Sequence, residues 1–278
     1  MRTYRFHQLD VFTAVPLRGN PLAVVHDARG LSDAQMADFA RWTNLSETTF
    51  LLPPGGPGAD YRVRIFTPGG ELPFAGHPTL GSCFAWLAAG GVARGDGEVV
   101  QQCGVGLVRV KRDGARLAFA APPLRRTGPL DAEVLQQITR SLHLTPDEVL
   151  HHQWVDNGPG WCAVMLNSAE RVRALKPDFA AMGALKLGVI ALQPNGHHSQ
   201  FEVRAFVPTL SVPEDPVTGS LNAGLAQWLI GAGLAPSRYV VSQGAALGRD
   251  GRVFVQQEGE HIWIGGEVVS LVEGTVRL

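Results

Sequence analysis

Two stretches of this 278-residue chain place acid–base side chains where a helix would begin. "EDPVTGSLNAGLAQWL" (Glu214 to Leu229) and "FAGHPTLGSCFAWL" (Phe74 to Leu87) each set a short polar turn before an apolar run containing Trp-Leu. One turn holds Gly76 and His77; the other holds Asp215, Thr218, Gly219 and Ser220. A helix start leaves backbone N–H groups without intrahelical acceptors, and its dipole favours negative charge. Two such starts facing one another across a cleft would make a pocket for a carboxylate. Gly76 and Gly219 suit close approach of a ligand to the backbone, and Pro78 is favourable in a first helical turn. The simpler reading is that Asp215, Thr218 or Ser220 merely caps its helix, as such residues commonly do. His77 weighs against it, because His is a mediocre cap and a repeated scaffold should cap both helices alike.

Glu47 opens the apolar stretch "ETTFLL" (Glu47 to Leu52). A lone glutamate there is ordinarily a solvated edge residue. In a dry cleft, burial would raise its pKa and let one group both take and return a proton near neutral pH. Other candidates carry less. His151-His152 and His197-His198 lack helical ligand spacing with an acidic partner, so they are expected to be exposed and no metal is expected. "GVGLVR" (Gly104 to Arg109) lacks the third glycine of a dinucleotide fingerprint, and no cofactor is expected. Cys83, Cys103 and Cys162 are odd in number and widely spaced, which fits neither a disulfide framework nor a zinc site and suits a reducing cytoplasm. Cys83 should pack inside its helix.

The elements that position these residues are written twice. Phe66-Thr67-Pro68 recurs as Phe206-Val207-Pro208, 140 residues later, and Trp86-Leu87 recurs as Trp228-Leu229, 142 later. "VVQQCGVG" (Val99 to Gly106) matches "VVSQGAAL" (Val240 to Leu247), and "AVV" at Ala23 matches "AVM" at Ala163. Common order and near-constant offset point to a duplication. Each half reads as strands, one helix, a strand, the polar turn with its helix, and a hairpin. Ser32 and Gln35 predict a capping box, with Leu31 and Met36 as its hydrophobic staple and the helix running to about Asn44. "YRVRIFT" (Tyr61 to Thr67) alternates as a half-buried strand should. The helices after Pro78 and Gly219 are apolar nearly all round, which marks helices buried on every side. The expected fold is α+β: two pseudo-symmetric lobes, each a mostly antiparallel sheet or barrel around a central buried helix. Lobe boundaries are expected at 1–120 and 121–266, with 267–278 returning to complete the first, and "PPLRRTGP" (Pro122 to Pro129) as linker.

Composition narrows the partners. The chain is 45% hydrophobic and 18% charged with a formal net charge of −1, so no nucleic acid or anionic membrane is expected as a partner. No run approaches the length of a membrane span, and the start "MRTYRFHQLDVF" lacks the apolar stretch of a signal peptide.

"DVFT…GNPLAVV", "NLSETTFL", "AGHPTLG" and "EDPVTGS" together resemble the PhzF family of phenazine-biosynthesis-type isomerases, in order from Asp10 to beyond Trp228. That resemblance implies the two-lobed fold of diaminopimelate epimerase, a homodimer and a site between the lobes. It implies Glu47 as the acid/base residue, His77 and Asp215 as its catalytic companions, and Gly76, Gly219 and Ser220 as substrate-binding residues. The related racemases carry a Cys at each helix start; here the matching positions read as Ala75 and Asp215, which excludes two-thiol racemisation. The implied activity is a cofactor-independent isomerisation of a small cyclic amino or hydroxy carboxylic acid such as trans-2,3-dihydro-3-hydroxyanthranilate, in phenazine biosynthesis. The alternatives are an epimerase or isomerase of another small carboxylate, or a non-catalytic binding or scaffold protein that keeps the fold.

Overall fold

The computed structural model describes residues 1–95, 97–209 and 213–278. The chain divides into two compact units, Met1–Ala120 with Gly265–Leu278, and Ala121–Ile264. No helix is long and apolar enough to cross a membrane among the described residues.

In the first unit β1 (Thr3–Val11) and β2 (Asn20–Val25) are antiparallel, and β2 is parallel to β3 (Glu47–Leu52) across α1 (Asp33–Thr43). β4 (Tyr61–Thr67) is antiparallel to β3 and to the short β5 (Gly70–Leu72), and parallel to β6 (Glu98–Cys103) after the crossover helix α2 (Gly76–Ala88). β7 (Gly106–Asp113) and β8 (Arg116–Ala120) finish as antiparallel hairpins. α1 begins as its sequence dictates: Ser32 and Gln35 form the reciprocal cap, and Asn44 ends the helix at φ 52°. Leu31 and Met36 join Phe39, Phe50 and Phe66 in one apolar cluster, so the staple also anchors α1 on the sheet.

The second unit adds α3 (Ala132–Leu142), which has no counterpart in the first, and then repeats the order. β9 (Val149–Trp154) and β10 (Trp161–Leu166) are antiparallel, and β10 is parallel to β11 (Lys186–Leu192) across α4 (Ala169–Ala174) and α5 (Phe179–Met182). β12 (Phe201–Phe206) is antiparallel to β11 and to β13 (Glu214–Asp215), and parallel to β14 (Arg238–Gln243) after α6 (Gly219–Gly231). β14 pairs antiparallel with β15 (Gly251–Glu258), and β16 (His261–Gly266) follows. The last strand, β17 (Val268–Arg277), pairs with β1 of the first unit from Val11 to Thr3. "PPLRRTGP" is no free tether: Arg125 and Arg126 donate backbone hydrogen bonds to the Asp156 carbonyl of the second unit.

The repeat extends to register. Phe66 faces Glu71, and Phe206 faces Glu214. Thr48 faces Phe66, and Leu187 faces Phe206, which sets Glu47 in correspondence with Lys186, two residues before Gly188.

Both crossover helices carry a glycine at their sixth residue, Gly81 and Gly224. A Cβ on Gly81 would lie 2.4 Å from Leu22 Cδ2, the end of a flexible side chain. On Gly224 it would lie 2.2 Å from the Val155 carbonyl oxygen, which is backbone. A side-chain end can turn aside, whereas a carbonyl moves only with its strand. Gly224→Ala is therefore expected to destabilise by about 1–3 kcal/mol or more, and Gly81→Ala by clearly less, because alanine's better helix propensity offsets part of the crowding. Urea unfolding of the two variants measures this, and equal losses would refute it.

Candidate active site

β3 carries Glu47 as its first residue, directly after the α1 cap, and α2 carries His77 as its second. His77 Nε2 stands 3.3 Å from Glu47 Oε2, with the two side chains 3% and 12% exposed. On the other side of the ring, the buried Asn20 amide lies 3.2 Å from Nδ1. Asn20 opens β2, so three elements hold one imidazole in a fixed plane. Burial pushes the His77 pKa down to about 3, opposed by a backbone contact with Pro21. The ring is thus neutral at neutral pH, a close polar neighbour of the Glu47 carboxylate rather than a counter-charge.

α2 has no side-chain cap, because its cap position is Ala75. Its first turn is held otherwise: Tyr61 donates to Gln101 Oε1 (2.9 Å), Gln101 to Thr79 Oγ1 (3.1 Å), and Thr79 to the Ala75 carbonyl (2.9 Å). The latch secures the carbonyl of the cap and leaves the Gly76 and His77 N–H groups to the helix end, where anions bind.

The second unit builds the corresponding start with different side chains. α6 has Thr218 at its cap and again no side-chain cap bond. The Thr218 hydroxyl donates to Asp215 Oδ2 at 2.6 Å instead. Thr218 does not cap the helix by its side chain. Asn222 donates to the Thr218 carbonyl (2.9 Å), and Gln243 accepts from both Asn222 (3.0 Å) and the Thr218 N–H (3.1 Å). The helix register pairs Ala75 with Thr218 rather than with Asp215, which precedes its helix by four residues. Neither helix start carries a thiol. Ser220 is buried and accepts from Trp161 Nε1 at 3.0 Å. Because an indole only donates, the Ser220 hydroxyl proton is left for another acceptor, such as a ligand carboxylate.

Within the first unit the structure brings together Glu47, Gly76 and His77, and within the second Asp215, Gly219 and Ser220. Sequence reasoning missed Asn20, Trp161 and the two latching glutamines, Gln101 and Gln243; the match of "VVQQ" to "VVSQ" sets Gln243 against Gln102 and so did not point to them. It also missed a repeated ion pair. Arg64 grips both oxygens of Glu71 (2.8 and 2.6 Å), and Arg204 grips both oxygens of Glu214 (2.9 and 2.8 Å). Arg64 and Arg204 stand 140 apart, the offset already visible in the phenylalanines. No group of three or more metal-ligating side chains occurs among the described residues. His151, His197 and His198 are exposed, but His152 is half-buried because its Nδ1 accepts from the Leu130 N–H at 3.1 Å. Cys83 is fully buried in α2.

A second histidine cluster bears on stability. His7 Nδ1, on β1, and His26 Nε2, directly after β2, are 2.7 Å apart and buried. Burial, with His7 and Arg5 adding to it, depresses His26 to about 4. An unfolded chain takes up protons at His26 and His77 below about pH 6.5, whereas the folded chain resists until about pH 4 and 3. Their contribution is complete above about pH 6.5 and is lost as the pH falls toward the folded values, on the order of 2–3 kcal/mol per histidine by about pH 4.5. Melting temperature is expected to fall over that window, and His26→Gln to flatten the fall. A melting temperature unchanged from pH 7 to about pH 4.5 contradicts this linkage.

Comparison with known proteins agrees with the geometry. Residues 9–274 match the PhzC-PhzF family model, described as phenazine biosynthesis-like protein. The chain is 34% identical over 294 residues to antisense-enhancing sequence 1 of Schizosaccharomyces pombe, covering 99% of each chain. It is 34% identical over 283 residues to trans-2,3-dihydro-3-hydroxyanthranilate isomerase of Pseudomonas fluorescens, covering 97% of this chain and 98% of that one. Among solved structures it is similar to a PhzF family protein of Enterococcus faecalis, with a TM-score of 0.81, 26% identity and full coverage of both chains. With the strand order, the uncapped helix starts and these matches in agreement, the chain belongs to the PhzC-PhzF family of phenazine biosynthesis-like proteins.

Proposed function

We propose that this protein is an isomerase in which Glu47 moves a proton within a small cyclic amino or hydroxy carboxylic acid. The observation that carries the reading is the Glu47–His77 contact: a carboxylate and a neutral imidazole 3.3 Å apart, both largely withdrawn from water. Glu47 takes a proton from a carbon next to a conjugated system, and the electron pair of that C–H bond spreads through the conjugation. The protonated Glu47 then returns the proton to another carbon of the same system, which shifts the double bonds and leaves the carboxylate as it began. No net oxidation occurs, so the chemistry proposed needs neither a redox cofactor nor a metal. His77 orients the carboxylate, while the Gly76 and Gly219 N–H groups, the Ser220 hydroxyl and Asp215 bind the substrate's polar groups.

The name of the Pseudomonas fluorescens relative makes trans-2,3-dihydro-3-hydroxyanthranilate the first substrate to test. Conversion in heavy water, followed by proton NMR, is expected to place solvent deuterium at the carbon that receives the proton. A wild-type protein that leaves that acid unchanged would refute the substrate; turnover with unaltered speed in Glu47→Gln would refute the mechanism.

A further inference from the structure

Asn20 opens β2, and His77 is the second residue of α2. The chain is clamped as it enters Asn20: Asp10 Oδ2 accepts from the Arg18 and Gly19 N–H groups at 2.8 and 3.1 Å. A Cβ on Gly19 would lie 2.2 Å from the Val11 carbonyl oxygen, so only glycine fits before Asn20. Asn20 itself is fully buried, and its Nδ2 reaches His77 Nδ1 at 3.2 Å. The ring faces this amide, the Pro21 backbone and, 3.3 Å from Nε2, the Glu47 carboxylate.

The amide and the carboxylate choose between the two neutral forms of the ring. An amide nitrogen carries two N–H groups and no lone pair to offer, so Nδ1 is the accepting, unprotonated nitrogen. The single ring proton then sits on Nε2, on the side of Glu47. The other tautomer is disfavoured at both ends: it sets N–H against N–H at Asn20, and a lone pair against the carboxylate at Glu47. Turning the Asn20 amide over repairs the first end and leaves the second. An imidazolium, with a proton on each nitrogen, meets the same obstacle at Asn20, which acts alongside burial in keeping the ring neutral. The second unit repeats the device. Trp161 opens β10 and donates to the hydroxyl of Ser220, the second residue of α6, at 3.0 Å. In each unit a buried donor from a strand start occupies the accepting side of the helix residue and leaves that residue's own proton for its other side.

We propose that Asn20 is a positioning residue: it holds the His77 proton on Nε2, so that His77 turns an N–H toward Glu47 and has no lone pair with which to take a proton from it. The tautomer stands on these contacts alone. Its consequence for catalysis, that the proton lifted from carbon is not passed to His77, rests on the reading of Glu47 as the proton carrier.

Long-range proton–nitrogen NMR correlations of the full chain near neutral pH read the tautomer directly, with the His77 signal assigned by its loss in His77→Asn. The wild type is expected to show Nε2–H. In Asn20→Asp the acceptor beside Nδ1 should draw the proton there and raise the His77 pKa from about 3 to above about 5, since a carboxylate favours the doubly protonated ring. Turnover of that variant should fall about tenfold or more with KM within a few-fold of wild type. Its rate profile should gain a limb at the new His77 pKa that the wild type lacks. A merely structural asparagine would move neither the tautomer nor the limb. Should Asn20→Asp fail to fold, His77 in Asn20→Ala is expected to bind its second proton about tenfold more tightly than in wild type, because the opposing N–H is gone. Nδ1–H in the wild type overturns the proposal, as does Nε2–H persisting in Asn20→Asp, or unchanged proton affinity in Asn20→Ala. Inactivity on every acid tried, with the tautomers as expected, would refute the isomerase reading and not this one.

Discussion

Glu47→Gln is expected to lower isomerase turnover by about 10²-fold or more while substrate binding stays within a few-fold of wild type. The amide keeps the length, planarity and hydrogen-bonding edge of the carboxylate, so the contact with His77 Nε2 survives in shape. It cannot accept a proton from carbon. Because proton transfer is the whole of the proposed reaction, losing the acceptor removes the chemical step and little of the ground-state affinity. His77→Asn should behave differently. It removes a positioning ring that also lines the α2 start, so affinity and turnover should fall together. The pH profile gives a further reading: His77 is held neutral down to about pH 3, so no limb of the rate profile near pH 6.5 should belong to it. Stopped-assay rates and binding titrations of both variants decide the matter. A Glu47→Gln enzyme with wild-type rate would remove Glu47 from the mechanism, and one that loses binding in proportion to rate would make it a binding group.

The parts of the fold that could be read before any coordinates were those where local physics and tertiary demand coincide. Ser32–Gln35 and Glu47–Leu52 are local signals, and the structure keeps both within a residue of their sequence limits. The doubled helix starts were readable because burial on all sides forces an apolar composition that no surface helix shows. What could not be read was long-range partnership. Asn20 is 57 residues from His77, and Trp161 is 59 from Ser220, and neither has a periodicity to betray it. The matching of Ala75 to Asp215 failed for a related reason. Sequence offsets drift from 140 to 143 through the repeat, and only the helix hydrogen bonds show where each turn of α2 and α6 begins. α3 went unseen because it precedes β9 in one half only, so a repeat-based reading had no template for it.

The repeat also supplies a controlled comparison of one interaction in two environments. Glu214→Ala is expected to destabilise by about 3–5 kcal/mol, whereas Glu71→Ala should cost about 0–1 kcal/mol. Each glutamate receives both arms of an arginine in the adjacent strand, at nearly the same distances. Burial differs: the Arg204 and Glu214 side chains are 5% and 9% exposed, against 15% and 42% for Arg64 and Glu71. Removing Glu214 leaves a guanidinium in the interior with the Val172, Arg173 and Leu175 carbonyls, at 3.2, 3.5 and 2.8 Å, to accept from its free arm. Removing Glu71 leaves Arg64 beside Asp33 at 2.5 Å and within reach of water. The large loss in the first case measures the stranded charge rather than the worth of the pair, so the double variant Arg204→Met with Glu214→Leu should recover much of the stability. Activity separates the two sites again, because Glu214 immediately precedes Asp215 in β13 and holds that strand to β12. Urea unfolding midpoints of the four chains test the ranking. Equal costs at Glu71 and Glu214 would show that bidentate geometry, and not burial, sets the value of this pair.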